Sequence, residues 1–323
     1  ERYHCEVNVP IIPRPGPATL AAIGDRFGVG FSGIQPLPDG EANHAFRLGD
    51  DLVLRVPRDD GQLAADLRKE CVVIPVARSA GVLTPEIVAF DDTGRDIDAP
   101  YLVVRRVAGT DLARQELPQD QLAAVYRAVG RNLAALHSAG GVDRQSLDGV
   151  PTDDDRSDPC DLLGPLVHEQ ALDADTAGWL RGWFERLAPC APDPPPLVLI
   201  HGDIAPRNLL AHPATGQLTG IVDWGDAAWA DPAMDFAKLP LGALPPALEG
   251  YLGQDDWSGV ALRSWLARAF RYQLHWAVAA LGRREAGTGL LRPPGPATAW
   301  LMVILRHLSD SHDERWRGLA AHG

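Results

Sequence analysis

Residues 197–223 read LVLIHGDIAPRNLLAHPATGQLTGIVD. Leu197 to Ile200 is a short apolar run of the kind that forms a buried strand, and it ends on the polar tripeptide His201-Gly202-Asp203. Asn208 comes next in a loop, and after the Thr215-Gly216 turn a second apolar run returns to Asp223. Asn208 lies seven positions before Thr215, and Asp223 seven after Gly216. A hairpin turning there sets the two side chains opposite one another on paired antiparallel strands, about 5 Å apart. An amide oxygen and a carboxylate at that spacing can share a hard cation such as Mg²⁺, which takes oxygen ligands and keeps part of its shell for nucleotide phosphates. Asp203, on the loop before, is left to accept the proton of an attacking hydroxyl. His201 is expected to brace that loop by hydrogen bonds rather than to react.

The order and spacing of these groups resemble the catalytic loop and metal-binding segment of the aminoglycoside phosphotransferase family, relatives of the protein kinases. His201-Gly202-Asp203, Asn208 and Asp223-Trp224-Gly225 carry the resemblance, and residues 225–236, GDAAWADPAMDF, are similar to the segment beyond the metal carboxylate in antibiotic kinases. The resemblance implies an α+β, bilobal protein-kinase-like fold: a small N-terminal β-sheet lobe (1–104), a hinge (105–109), and a larger, mostly helical C-terminal lobe (110–323). It implies transfer of the γ-phosphoryl group of ATP or GTP to a hydroxyl of a small molecule, with Asp203 as base and Mg²⁺ on Asn208 and Asp223. An antibiotic is the expected acceptor, an aminoglycoside first and a macrolide second; the stretch Leu54-Arg55-Val56-Pro57-Arg58 resembles macrolide kinases.

Upstream, Phe31 to Leu37 and His44 to Leu48 read as strands around Pro38-Asp39-Gly40-Glu41-Ala42-Asn43, a turn-rich loop whose backbone N–H groups could cover phosphates. Leu52 to Pro57 reads as the next strand and Leu63 to Val76 as a helix carrying Glu70. The resemblance expects a lysine on that strand, paired with Glu70 and reaching the phosphates; the chain has Arg55 there. It has only two lysines, Lys69 and Lys238, so arginine bias accounts for the exchange. Lys69 is no substitute, because adjacent residues on a helix do not face each other. A forked guanidinium is longer than an ammonium, so the exchange is not neutral at a phosphate site.

The hinge is expected at Arg105, Arg106 and Val107, after the strand Tyr101 to Val104, where an adenine edge would meet backbone groups. By the same resemblance, Leu210 and Val222 pack beneath the base, in the apolar slot typical of nucleotide pockets. Gly28-Val29-Gly30-Phe31-Ser32-Gly33 matches a dinucleotide fingerprint letter for letter, but such a motif needs a strand before and a helix after. Here Thr19 to Phe27 reads as helix and the residues after it as extended, so the glycines are turn punctuation.

The length of 323 residues exceeds one ordinary core and suits two lobes. No run approaches eighteen apolar residues, and the opening residues lack a signal-peptide pattern, so a cytoplasmic enzyme is expected. The chain does not begin with methionine, which leaves an earlier segment open. Cys5, Cys71, Cys160 and Cys190 are widely spaced, which argues against a disulfide framework or zinc. A net charge of −13 disfavours nucleic acid and favours a cationic or hydroxyl-rich small molecule; nothing points to a membrane or an obligate protein partner. Asp153, Asp154, Asp155, Asp158 and Asp161 form an acidic stretch whose plainer reading is a solvated loop.

Helices are expected at Asp120 to Ser138, Asp173 to Leu187, Trp257 to Leu281 and Ala297 to Leu308, separated by proline-rich connectors at Pro189 to Pro196 and Pro293 to Pro296. Arg271 and His275, four apart, share a helix face that could look into an acceptor cleft. Trp224 and Trp229 flank the metal segment as core or cleft residues. Two other classes stay open: a nucleotide-binding protein without turnover, motivated by Arg55, and a metal-dependent hydrolase built on His201, Asp203 and Asp223. Kinases of a housekeeping small alcohol or sugar also remain, since phosphate machinery does not specify the acceptor.

Overall fold

The computed structural model describes residues 10–38, 40, 42–139, 144, 147–154, 157–190, 197–253, 259–282, 297–310, 314, 316 and 319. In chain order the elements are α1 (Pro17–Arg26), β1 (Ile34–Pro36), β2 (Asn43–Leu48), β3 (Leu52–Pro57), α2 (Gln62–Ser79), β4 (Ile87–Asp91), β5 (Tyr101–Arg105), β6 (Thr110–Asp111), α3 (Gln119–His137), α4 (Leu163–His168) and α5 (Ala174–Leu187). Then come β7 (Val198–Ile200), β8 (Leu209–Ala211), β9 (Leu218–Ile221), β10 (Ala228–Ala230), α6 (Ala233–Phe236), α7 (Leu244–Leu252), α8 (Gly259–Leu281) and α9 (Ala297–Asp310). The α+β expectation holds. Asp39, Glu41, Cys5, Asp155, Trp257, most of the Pro189 to Pro196 connector and all of Pro293 to Pro296 lie outside the described residues.

The chain forms two compact units. The first gathers the described residues of Glu1–Leu117, Ser138–Pro151 and His201–Ala228, so the catalytic segment shares a unit with the N-terminal sheet. That sheet is antiparallel with strand order β1-β2-β3-β5-β4. Strand side chains alternate between faces. On one face Phe46, Leu48, Leu54, Val56, Tyr101 and Val103 pack with Ile23 of α1; on the other, Leu102 and Val104 pack with Leu67 of α2. Arg55, between Leu54 and Val56, is thereby delivered to the α2 face, where Glu70 stands three positions beyond Leu67. Two boundaries differ from expectation. Phe31–Gly33 is a 3-10 turn ahead of a short β1, and Asn43, expected in the covering loop, opens β2 instead.

The second unit gathers the described residues of Pro118–His137, Thr152–Ile200 and Trp229–Gly323 and is mostly helical. Asp173 caps α5 by accepting the Thr176 N–H at 2.8 Å, a contact worth about 1 kcal/mol. α3 and α7 pack unusually closely because Gly130 has no side chain: a Cβ there would lie 1.8 Å from the Ala247 carbonyl oxygen. Buried His137 and Asp235 pair at 3.0 Å, and His137 Nδ1 lies 3.1 Å from the Tyr251 hydroxyl. No helix among the described residues is long and apolar enough to cross a membrane.

Candidate active site

The loop after β7 is built around glycine and histidine. Gly202 has φ +85°, and a Cβ on it would lie 2.1 Å from the Asp226 carbonyl oxygen, so the turn admits no side chain. His201 is fully buried. Its Nε2 donates to the Val222 carbonyl at 3.2 Å, and its Nδ1 accepts the Asp203 N–H at 3.2 Å. Both ring nitrogens are therefore committed to backbone, which makes the ring a brace and removes the ligand that a metal-hydrolase reading requires.

Asp203 is 5% exposed, and its Oδ2 accepts from the Asn208 side-chain amide at 2.7 Å and from Arg207 Nη2 at 2.5 Å. The Asn208 amide also donates to the Asp203 carbonyl at 2.9 Å. Two acceptors on its nitrogen fix the amide's orientation, and what Asn208 has left to offer is its oxygen. Arg207 is not singled out by the sequence; its position four residues past Asp203 in a loop obeys no periodic rule that would mark it.

Asp223 sits just past β9 with φ +70°, a left-handed conformation that aspartate tolerates better than most residues and that often marks functional sites. Its Oδ1 accepts from Arg55 Nη2 at 3.2 Å. The other arm of the Arg55 guanidinium pairs with Glu70 Oε2. The expected Arg55–Glu70 ion pair is present, and the same arginine also reaches the carboxylate expected to hold metal, a link made by the length of its fork.

Burial pushes the Glu70 carboxyl up to about 7 from its ordinary 4.5; the Arg55 charge pulls it down and the Asp223 carboxylate adds to the rise. Between pH 4.5 and about 7 the folded protein therefore holds more proton at Glu70 than the unfolded chain does. The site's contribution to stability is fully present below pH 4.5 and falls as pH rises to about 7. Urea midpoints of the parent and Glu70→Gln across that range should diverge, the parent losing ground with rising pH; parallel profiles would show that Glu70 is not the titrating group.

The register of the hairpin corrects one expectation. β8 pairs with β9 as Leu209↔Ile221 and Leu210↔Gly220, then slips at Ala211↔Leu218 around an extra residue, Thr219. Asn208 therefore lies across from Val222, whose N–H it accepts at 3.0 Å, and not from Asp223. Asn208 closes a 3-10 turn, Pro206–Asn208, rather than lying on a strand. The cause is a turn centred between Ala214 and Thr215, one residue earlier than expected, closed by the His212 N–H to the Gln217 carbonyl at 2.8 Å and the Gly216 N–H to the His212 carbonyl at 2.9 Å; the bulge at Thr219 offsets half of the resulting shift. The same register puts Leu210, Gly220 and Val222 on one face and the fully buried Leu209 and Ile221 on the other. Leu210 and Val222 are half-buried, and a Cβ on Gly220 would lie 2.7 Å from Val107 Cγ1. Val107, Leu210 and Val222 thus gather around Gly220 as a small apolar surface.

The N–H groups of Arg105 and Arg106 are donated to the Glu86 and Asp51 carbonyls at 2.8 and 2.7 Å. Those two N–H groups are therefore spent, and of the three residues expected to meet a base edge Val107 is the one whose N–H is not bound in this way. Asn43 lies on the Arg55 face of the sheet, since it is opposite Pro57 while Ala45 is opposite Arg55. It is 8% exposed, and its Oδ1 has no hydrogen-bond partner among the described residues. Lys69 is held by Asp66 at 3.2 Å, apart from Glu70.

A sequence model of the phosphotransferase enzyme family matches residues 33–281. The aminoglycoside 3'-phosphotransferase of Streptomyces fradiae is 31% identical over 212 residues, which cover 64% of this chain and 72% of that protein. Among solved structures, the GDP complex of aminoglycoside 2'-phosphotransferase-IIIa is similar with a TM-score of 0.64 and 21% identity, covering 90% of this chain and 96% of that one. A choline/ethanolamine kinase family protein from Mesorhizobium loti has a TM-score of 0.60 and 21% identity, covering 95% and 98% of the two chains.

Proposed function

We propose, from the premise that the chain belongs to the phosphotransferase enzyme family and has its protein-kinase-like fold, that it moves the γ-phosphoryl group of ATP or GTP onto a hydroxyl of an antibiotic. An aminoglycoside is the first candidate, supported by the relative from Streptomyces fradiae and by the net charge of −13, which attracts polycations. A macrolide is the second. The observation that carries the reading is the tie between Asp203 and Asn208, which joins a buried carboxylate to an amide with its oxygen left over.

In this reading Asp203 takes the proton of the acceptor hydroxyl as the new O–P bond forms and the P–O bond to the nucleoside diphosphate breaks. Asn208 and Asp223 offer the hard oxygen donors that Mg²⁺ prefers, and magnesium bound there would supply charge neutralisation on the phosphate oxygens. Arg55 steadies the phosphates and is itself held by Glu70. The Asn43 side chain faces the nucleotide, with Val107, Leu210 and Val222 as its apolar bed. Residues 105–109 serve as the hinge between an N-terminal lobe and a C-terminal one, and the protein works in the cytoplasm.

A second reading, a kinase of a small amino alcohol, is favoured by the similarity to the choline/ethanolamine kinase family protein. One experiment separates the two: incubation with ATP or GTP, Mg²⁺ and a mixed panel of aminoglycosides, macrolides and small alcohols, then mass spectrometry for an added ~80 Da, the mass of HPO₃, on one acceptor. Phosphorylation of choline or ethanolamine alone would replace the antibiotic reading. Nucleotide binding without any modified acceptor would leave only a binding protein.

A further inference from the structure

Arg207 contacts Asp203 yet has no task in the phosphoryl transfer as proposed. Its Nη2 donates to Asp203 Oδ2 at 2.5 Å, and the Asn208 amide donates to the same oxygen at 2.7 Å. Neither donor engages Oδ1. We propose that Arg207 is a positioning residue for phosphoryl transfer, which makes Oδ1 of Asp203 the oxygen that receives the acceptor's proton; the inference rests on the reading of Asp203 as the base.

Symmetry and charge both support this role. The two oxygens of a carboxylate exchange by rotation about one soft torsion, so a base held by a single donor samples several orientations. Two donors on one oxygen, arriving from a guanidinium and an amide, break that equivalence and hold the other oxygen in a single direction. Asn208 is tied besides to the Asp203 carbonyl at 2.9 Å, so its grip orients backbone and side chain together, whereas Arg207 acts on the carboxylate alone. The Arg207 side chain is 59% exposed against 7% for Asp203. An ion pair so open to water adds little to fold stability, so its effect falls on the base rather than on the loop.

The proton balance fits the same assignment. When the acceptor O–H bond breaks, its proton passes to Oδ1, the acceptor oxygen bonds phosphorus and the nucleoside diphosphate departs. Asp203 is then neutral and Arg207 has lost its anionic partner. The departing proton restores the pair and resets the base for another turnover.

The test compares the parent protein with Arg207→Ala and Arg207→Lys in steady-state kinetics, using the acceptor identified by the panel of antibiotics and alcohols. Arg207→Ala should lower kcat roughly 10- to 100-fold, the size of a misplaced catalytic group. KM for nucleotide should stay within about twofold of the parent's, since the residue acts on the base, and the melting temperature within about 2 °C. Millimolar guanidinium ion should restore part of the lost kcat, and Arg207→Lys should keep more of it than Arg207→Ala. An unchanged kcat in Arg207→Ala, or a loss confined to KM, overturns the inference while leaving Asp203 as the base. A kcat loss that guanidinium and lysine both fail to relieve, together with a fallen melting temperature, assigns Arg207 to loop structure and also overturns it. A parent that modifies no acceptor with either nucleotide overturns the phosphotransferase reading and the inference with it.

Discussion

Asp203→Asn is expected to lower turnover about 10²- to 10⁴-fold, the usual contribution of a general base, while leaving nucleotide affinity nearly unchanged. The substitution keeps size and shape, but an amide cannot take the acceptor's proton. It also disturbs the pairing beneath it, because Asp203 Oδ2 now accepts from both Arg207 and Asn208. If the new amide presents its oxygen to those donors, the loop survives and only chemistry is lost; a kcat/KM split with a normal nucleotide Kd reports this directly. Turnover equal to the parent's would remove Asp203 from the mechanism, and a collapse of nucleotide affinity would mean that it holds the loop rather than the proton.

Arg55→Met should be the most damaging change to the sheet side of the site. Glu70 is 2% exposed and Arg55 is paired with it, so above about pH 7, where the carboxyl is ionised, the substitution strands a buried carboxylate. Breaking a buried pair on one side costs about 3–5 kcal/mol. In a chain of 323 residues that corresponds to a melting temperature lower by roughly 4–7 °C. The double variant Arg55→Met with Glu70→Leu should recover most of that stability, since an apolar pair of similar volume needs no compensation, yet should not recover nucleotide binding. That divergence separates the structural and phosphate-binding parts of the arginine's work. Arg55→Lys retains a cation for Glu70 but loses the fork that spans to Asp223 at 3.2 Å, and so tests whether the bridge matters by itself. A single variant as stable as the parent, with nucleotide affinity intact, would show that the pair is incidental.

The candidate site is unevenly legible in the sequence. The strand carrying Arg55 and the helix carrying Glu70 can be read because apolar periodicity fixes which element a residue sits on, and the order of strand and helix then brings the pair to one face. The absence of a dinucleotide fingerprint at Gly28, Gly30 and Gly33 is legible for the same reason: α1 precedes the motif, its last three residues form a 3-10 turn, and a strand follows it. Asn208 and Asp223 are read correctly as near one hairpin but in the wrong register, because the turn is centred one residue earlier than Thr215-Gly216 and the extra residue at Thr219 restores only one of the two positions this costs; nothing in the side-chain chemistry announces either. Arg105 and Arg106 are expected to offer backbone groups, yet their N–H donors are consumed by Glu86 and Asp51, carbonyls far enough away in sequence that no local rule pairs them.

Sequence alone determined the chemical parts and their order: a glycine-bounded loop presenting Asp203, an amide at Asn208, a carboxylate at Asp223, and a cation on a strand ahead of a helical glutamate. Those properties are local, set by residue type and by the two periods of backbone geometry, so they survive without coordinates. Only the tertiary structure decided the partnerships: Arg55 reaching Asp223 across 168 positions, Arg207 and Asn208 sharing one oxygen of Asp203, and His201 spending both ring nitrogens on backbone. The reason is physical. A hydrogen bond needs ångström-level placement of both ends, and that placement is the sum of every turn, bulge and packed side chain between them.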